Sequence, residues 1–197
     1  MIAEQANSTT SEKIAECALR ILEAEGAQAV SMRRVAGEVG VTAMAIYHHF
    51  ANREALLNQV VEREFARLVD FFDRTRVEAG FEAQMLGLLD GYVDYALAHP
   101  RIFDYVFAEL RPGARRFPED FRARKSPTLT PIADTLAYWM KQKRLKRDDV
   151  WEVAMELWAH VHGYLALYRG GRFAMTEKEF RALVRRSLER LLNGLRA

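Results

Sequence analysis

Apolar residues return at helical spacing along nearly the whole chain, and no stretch alternates long enough to predict a strand. Ile14, Ala18, Ile21 and Leu22 form a first stripe that Gly26 ends. Ser31 is placed to cap a short helix reaching Val39, with Gly40 as its stop. Thr42 is placed to cap the next, which runs to His48 or His49. Asn52 then opens a long helix with Leu57, Val61, Phe65, Leu68 and Phe72 on one side. Phe81, Met85, Leu88, Leu89, Tyr92 and Ala96 make a further stripe, stopped at His99-Pro100, and a short helix is expected over 101–110.

Residues 111–127 interrupt the pattern with Pro112, Gly113, Pro118 and Pro127, and hold six basic residues against two acidic ones. They predict an exposed, mobile loop. Three more helices follow. The last two carry Val150, Ala154, Leu157, Trp158, Val161, Leu165 and Tyr168, and then Phe180, Leu183, Val184, Ser187, Leu188, Leu191, Leu192 and Leu195, with Gly170-Gly171 between them. The expectation is an all-α protein of about nine helices.

Within that pattern, the pair 31–39 and 42–48 with a glycine between them has the helix-turn-helix arrangement, whose second helix fits the major groove. Val35, Ala36 and Val39 are expected to face inward, Val41 to fill the turn, and Ile46 and Phe50 to close the core.

Composition narrows the possibilities. Half of the 197 residues are hydrophobic, enough for a packed core, and the net charge of +2 says little about partners. A single cysteine, Cys17, allows no intrachain disulfide and suggests a reducing compartment. The opening MIAEQANSTTSEK lacks the marks of a signal peptide, and no run reaches membrane-spanning length. A cytoplasmic protein is expected.

The adjacent histidines His48 and His49 raise the question of metal or acid–base chemistry. Neighbouring residues on a helix diverge by about 100°, and residues two apart point to nearly opposite sides. Neither His48/His49 nor His160/His162 can chelate one ion from a regular helix, and no cysteine or acidic cluster completes a site. No metal, no cofactor and no catalytic residue is expected. A nucleophile elbow and a phosphate loop are both missing, which argues against a helical-bundle enzyme.

The segment from Ile14 to Leu57 resembles the N-terminal domain of the tetracycline-repressor (TetR) family of bacterial transcription regulators. The resemblance rests on the first-helix stripe, Gly26, Ser31-Met32-Arg33-Arg34-Val35-Ala36, Gly40-Val41, and the run Tyr47-His48-His49-Phe50-Ala51-Asn52-Arg53-Glu54-Ala55-Leu56-Leu57. It implies backbone contacts to double-stranded operator DNA from Tyr47, His49 and Arg53, with Thr42 meeting a phosphate and His48 touching backbone or solvent. Base reading would fall to Arg33, whose fork suits guanine, and to Ala43, Met44 and Ala45, which offer only apolar contact with thymine methyls. Arg34 joins Arg33 and Arg53 on the expected DNA face. Against this, residues 1–60 carry five basic and seven acidic groups, a net of −2, where a DNA-binding domain usually shows a basic footprint.

The rest of the chain resembles the ligand-binding and dimerisation domains of the same family, and Trp158 to Gly163 weakly resembles one subgroup with a Trp-x-x-x-His-Gly signature. The division expected is 1–55 for DNA and 56–197 for ligand and dimer. Aromatic residues are dense in the second part. Tyr92, Phe103, Phe107, Trp139, Trp158 and His162 are the candidate pocket residues, with His160 a further polar group. With no charged pair to act as counter-ion, a largely apolar small-molecule effector is expected. The last two helices, through Trp158, Leu165, Leu188, Leu191 and Leu192, are expected to form a four-helix bundle with a second copy. The resulting homodimer would be a repressor released by its effector. The alternative reading is a helical protein that binds a small molecule without touching DNA.

Overall fold

The computed structural model describes the backbone of residues 2–75 and 80–197, and the side chains of residues 10–69 and 80–197. Among these residues there are ten α-helices and no strand, and nine of the helices have seven residues or more. In order they are α1 (Ile2–Glu25), α2 (Met32–Val39), α3 (Ala43–His49), α4 (Arg53–Thr75), α5 (Phe81–Ala98), α6 (Pro100–Phe107), α7 (Glu119–Arg122), α8 (Thr130–Lys141), α9 (Val150–Arg169) and α10 (Glu177–Gly194). None of the described helices is long and apolar enough to cross a membrane. Phe72, the last member of the stripe expected on α4, lies outside the residues whose side chains are described.

Two units divide the chain. The first joins Met1–Phe65 to Ala98–Ala114, and the second joins Ala66–Leu97 to Arg115–Ala197. In the first, α1 packs on α2 and α6, and α2 packs on α3. Its core is the expected one: Ile14, Ala18, Leu22, Val35 and Ile46 are fully buried, and Phe50, Leu56 and Leu57 close it. Each of these side chains other than Ala18 contributes about 1.5–3 kcal/mol on leaving water. Val39 and Val41 are only half-buried, because they flank the turn rather than lie under a third helix.

Capping explains the short helices, which are too brief to be stable by propensity alone. Ser31 Oγ accepts from Arg34 N at 3.2 Å, Thr42 Oγ1 from Ala45 N at 3.2 Å, and Asn52 Oδ1 from Ala55 N at 2.8 Å. Gly40 ends α2 at φ 77°, a left-handed conformation that a β-carbon would disfavour. Its amide and that of Val41 both return to the Ala36 carbonyl, at 3.0 Å each, which makes the turn tight.

In the second unit α9 packs against α8 and α10. Helix α10 also runs antiparallel to α5 through a row of ion pairs: Arg181 with Asp94, Arg185 with Asp90 at 2.7 Å, and Arg196, just beyond the helix, with Glu82 at 2.6 Å.

Two expectations change. Helix α6 stops at Phe107 instead of Leu110, whose side chain is fully exposed. The chain turns back ahead of Pro112, so that Arg111 is buried and its Nη1 lies 3.4 Å from Asn58 Oδ1. Residues 111–127 also hold more structure than an exposed loop, including the one-turn helix α7. Their basic side chains serve as staples: Arg122 bonds Asp149 at 2.7 Å, and Arg124 bonds both oxygens of Asp134 at 2.9 and 2.8 Å. These pairs tie the segment to α8 and to the start of α9, while most of its side chains stay exposed as expected.

Candidate nucleic-acid interface and effector residues

The exposed side of α3 is built from the residues that its caps leave in solvent. Ala43, Met44, Tyr47 and His48 are exposed, Met44 at 78% and Tyr47 at 52%, whereas Ala45 and His49 are half-buried. A methionine and a tyrosine so exposed on a seven-residue helix cost hydrophobic stabilisation, and a surface contact would recover it. Thr42 is the N-cap of α3, and because its oxygen accepts from Ala45 N, its own O–H remains available to donate. The rings of His48 and His49 meet edge to face at 5.6 Å, and among the described residues no metal-binding cluster includes them.

The three arginines expected on this surface take different positions. Arg33 is exposed and has no side-chain partner among the described residues. Arg34 is tied back to the protein: its guanidinium makes a two-pronged pair with Glu25 and a further bond to Glu38 at 3.1 Å. Those carboxylates raise the Arg34 pKa, and Arg34 in turn lowers that of Glu25. Arg34 therefore braces α2 against the end of α1, and this corrects its expected place on the open surface. Arg53 donates from Nε to the Val30 carbonyl at 2.8 Å and from Nη2 to the Ala27 carbonyl. It clasps the turn before α2 to the start of α4, a job with no sequence signal beyond a basic residue after an N-cap.

These pairings answer the charge objection. Glu25 and Glu38 face Arg34, Glu38 also meets Arg20 at 3.4 Å, Glu23 meets His99 Nδ1 at 2.6 Å, and Glu16 meets Arg63 at 3.7 Å. These acidic groups are thus consumed in pairs with basic side chains of neighbouring elements. Two contacts missed in the sequence lie here as well. Arg101 and His99, at the start of α6, close the C-terminal end of α1, Arg101 through the carbonyls of Glu23 and Ala24. Cys17 is buried, and burial together with Glu38 pushes its thiol pKa up.

Among the candidate effector residues, the second unit brings Tyr92, Trp158 and His162 together. Tyr92 O–H lies 2.9 Å from His162 Nδ1, and its ring meets Trp158 at 6.5 Å. Burial pushes the Tyr92 pKa far up, outweighing a hydrogen bond from Trp158, so the phenol stays neutral. Trp139 is held apart from this trio: its indole N–H donates to Gln84 Oε1 at 3.0 Å and its ring packs on Phe81. Phe103 and Phe107 belong to the first unit, where Phe107 packs edge to face on Phe65 at 6.0 Å. His160 makes a separate cluster, with Nε2 3.0 Å from Ser187 Oγ, to which Tyr164 also donates. The signal for it was the one serine set in the apolar stripe of α10.

The expected dimer residues divide by burial. Leu165, Leu188 and Leu192 are 0%, 1% and 1% exposed within a single chain, so they are already core and have no surface for a partner. This corrects their assignment: packing between α9 and α10 uses the stripe that the sequence offered to a second copy. Leu191 is 39% exposed, Leu167 is 50% exposed, and Trp158 is half-buried.

Comparison with known proteins agrees with this geometry. Residues 14–60 match the family model of bacterial regulatory proteins, tetR family, and residues 85–191 match the tetracyclin repressor-like C-terminal domain. The HTH-type transcriptional regulator Rv0681 of Mycobacterium tuberculosis is 24% identical over 160 residues, covering 81% of this chain and 70% of that protein. The HTH-type transcriptional regulator YobS of Bacillus subtilis is 25% identical over 101 residues, so the chain spans about half (53%) of that relative's length. A protein of unknown function from Rhodococcus sp. RHA1 superposes with a TM-score of 0.79 over 95% of both chains at 23% identity, a likeness of fold. With an N-terminal helix-turn-helix match and a C-terminal match that alone covers more than half of its residues, the chain belongs to the tetR family of bacterial regulatory proteins.

Proposed function

We propose that the chain is a ligand-responsive transcriptional repressor that binds a palindromic operator as a homodimer in the cytoplasm. The observation that carries this reading is the capped pair α2–α3, with Met44 and Tyr47 exposed on α3 and Arg33 exposed on α2 with no side-chain partner among the described residues. Arg33 supplies a guanine contact and Thr42 a phosphate contact. Ala43, Met44 and Ala45 meet thymine methyls, and Tyr47, His48 and His49 meet backbone. Arg53 keeps a phosphate-binding part only through donors not already spent on Val30 and Ala27.

A dimer places two recognition helices about one DNA turn apart, which a palindrome matches. The face available for it is what α9 and α10 leave in solvent: Ala159, Ala166 and Leu167 on one, Leu191 on the other. Residues 1–55 serve DNA binding, and residues 56–197 serve the effector and the dimer. A largely apolar small molecule held near Tyr92, Trp158 and His162 favours a conformer that fits the operator less well, and it acts only by its differential affinity for the two states. No enzymatic step enters this account.

The test is a footprint on the DNA flanking the protein's own gene, at fixed salt. Protection of a palindrome by the parent and its loss in Arg33→Ala support the reading. Equal affinity for that DNA and for random sequence refutes it in favour of a small-molecule binder that leaves DNA alone.

A further inference from the structure

We propose that a cleft in the second unit, between the start of α5 and the segment after α8, binds a small aromatic carboxylate. The sequence KQKRLKR at 141–147 puts five cations in seven positions. Leu145 alone is buried there, and it forms an antiparallel bridge with Arg196. Lys146 N donates to the Leu195 carbonyl at 2.9 Å, so this segment is held as a short extended edge. The cations around it meet different fates. Lys146 Nζ donates to the Gly194 carbonyl at 2.9 Å, and Arg196 pairs with Glu82 at 2.6 Å. The side chains of Lys143 and Arg144 have no partner among the described residues, and both line the cleft.

Part of the lining is aromatic. The open cleft has a volume of about 630 Å³ and is lined by Phe81, Trp139 and Leu145, by the cations, and by Glu82, whose carboxylate is paired with Arg196. That volume lies within the range of small-molecule sites, about 300–1,000 Å³. Trp139 is fixed by its bond to Gln84 and by its edge-to-face contact with Phe81 at 6.4 Å. Its one polar atom is spent, so the indole offers only ring surface. An inorganic anion would use the cations and leave the aromatic part unused, and a neutral hydrocarbon would do the reverse. A flat ring carrying a carboxylate uses both, with the ring against Trp139 and Phe81 and the negative charge against Lys143 and Arg144. The proposal stands apart from the DNA reading and from the Tyr92 trio.

The test titrates the full chain by calorimetry with 2-naphthoate and, separately, with 2-naphthamide, which has the same ring and no charge. Saturable binding of 2-naphthoate, one per chain, is expected, with the amide weaker by about tenfold or more. Lys143→Gln combined with Arg144→Gln alters exposed side chains and should leave melting unchanged while weakening 2-naphthoate by a similar factor. Trp139→Phe should weaken both probes. Equal binding of acid and amide, undiminished binding by the double variant, or no binding of 2-naphthoate at millimolar concentration overturns the proposal.

Discussion

Arg53 Nε donates to the carbonyl of Val30 at 2.8 Å, so a side chain at the start of α4 holds the turn that precedes α2. Its sequence position suggested a phosphate contact alone. Arg53→Ala should therefore lower stability by about 1.5–3 kcal/mol, the scale of a hydrogen bond to a charged group, as well as weaken DNA binding. Arg53→Lys keeps the charge without the fork, and should recover affinity for DNA better than it recovers the melting temperature. Chemical denaturation and binding over a salt series would separate the two effects.

Arg33 makes the contrasting case. With no partner to lose, Arg33→Ala should leave the denaturation midpoint unchanged and cost about 1–3 kcal/mol of operator affinity, with relaxed preference at one base pair. Arg34→Ala should instead loosen α2 against α1 and affect DNA only indirectly. A protein in which Arg34→Ala relaxed base preference while Arg33→Ala did nothing would reverse these assignments.

For the dimer, burial selects which leucine to change. Leu191→Glu alters a side chain that is 39% exposed, and should yield a folded monomer in sedimentation with much weaker operator binding. Leu188→Glu puts a charge at a site only 1% exposed, and should unfold the protomer itself, at a cost above about 3 kcal/mol. Circular dichroism alongside sedimentation distinguishes these outcomes. A parent chain that is monomeric at micromolar concentration would remove the dimer from the account.

His160 carries a pH dependence. Burial lowers its pKa below the ordinary imidazole value of 6.5, so the unfolded chain takes up its proton first as pH falls. Stability linked to this group is complete above about pH 6.5, is lost as pH falls below it, and levels off under the folded pKa. Melting temperatures at pH 7.5 and 5.5, above the carboxylate range, should differ less in His160→Gln than in the parent. An unchanged difference would mean that His160 pays no desolvation penalty on protonation.

Periodicity and capping residues were enough to determine most of the segments that become helices, though not α7, as well as where α2 and α3 begin and the order Ser31, Gly40, Thr42, Asn52 that spaces α2, α3 and α4. These are local properties: a cap bonds an amide three residues on, and a stripe repeats every turn. Pairings between distant residues lay beyond the sequence. Whether Arg34 faces solvent or Glu25, whether Arg53 is spent on Val30, and whether Leu188 is core or interface depend on which helix faces meet. A basic residue or a leucine reads the same in either setting, because its fate is set by what packing brings within 3 or 4 Å. Phe81 lines one cleft with Trp139, Lys143 and Arg144 although some sixty residues of chain separate it from them, and only the tertiary structure decided that.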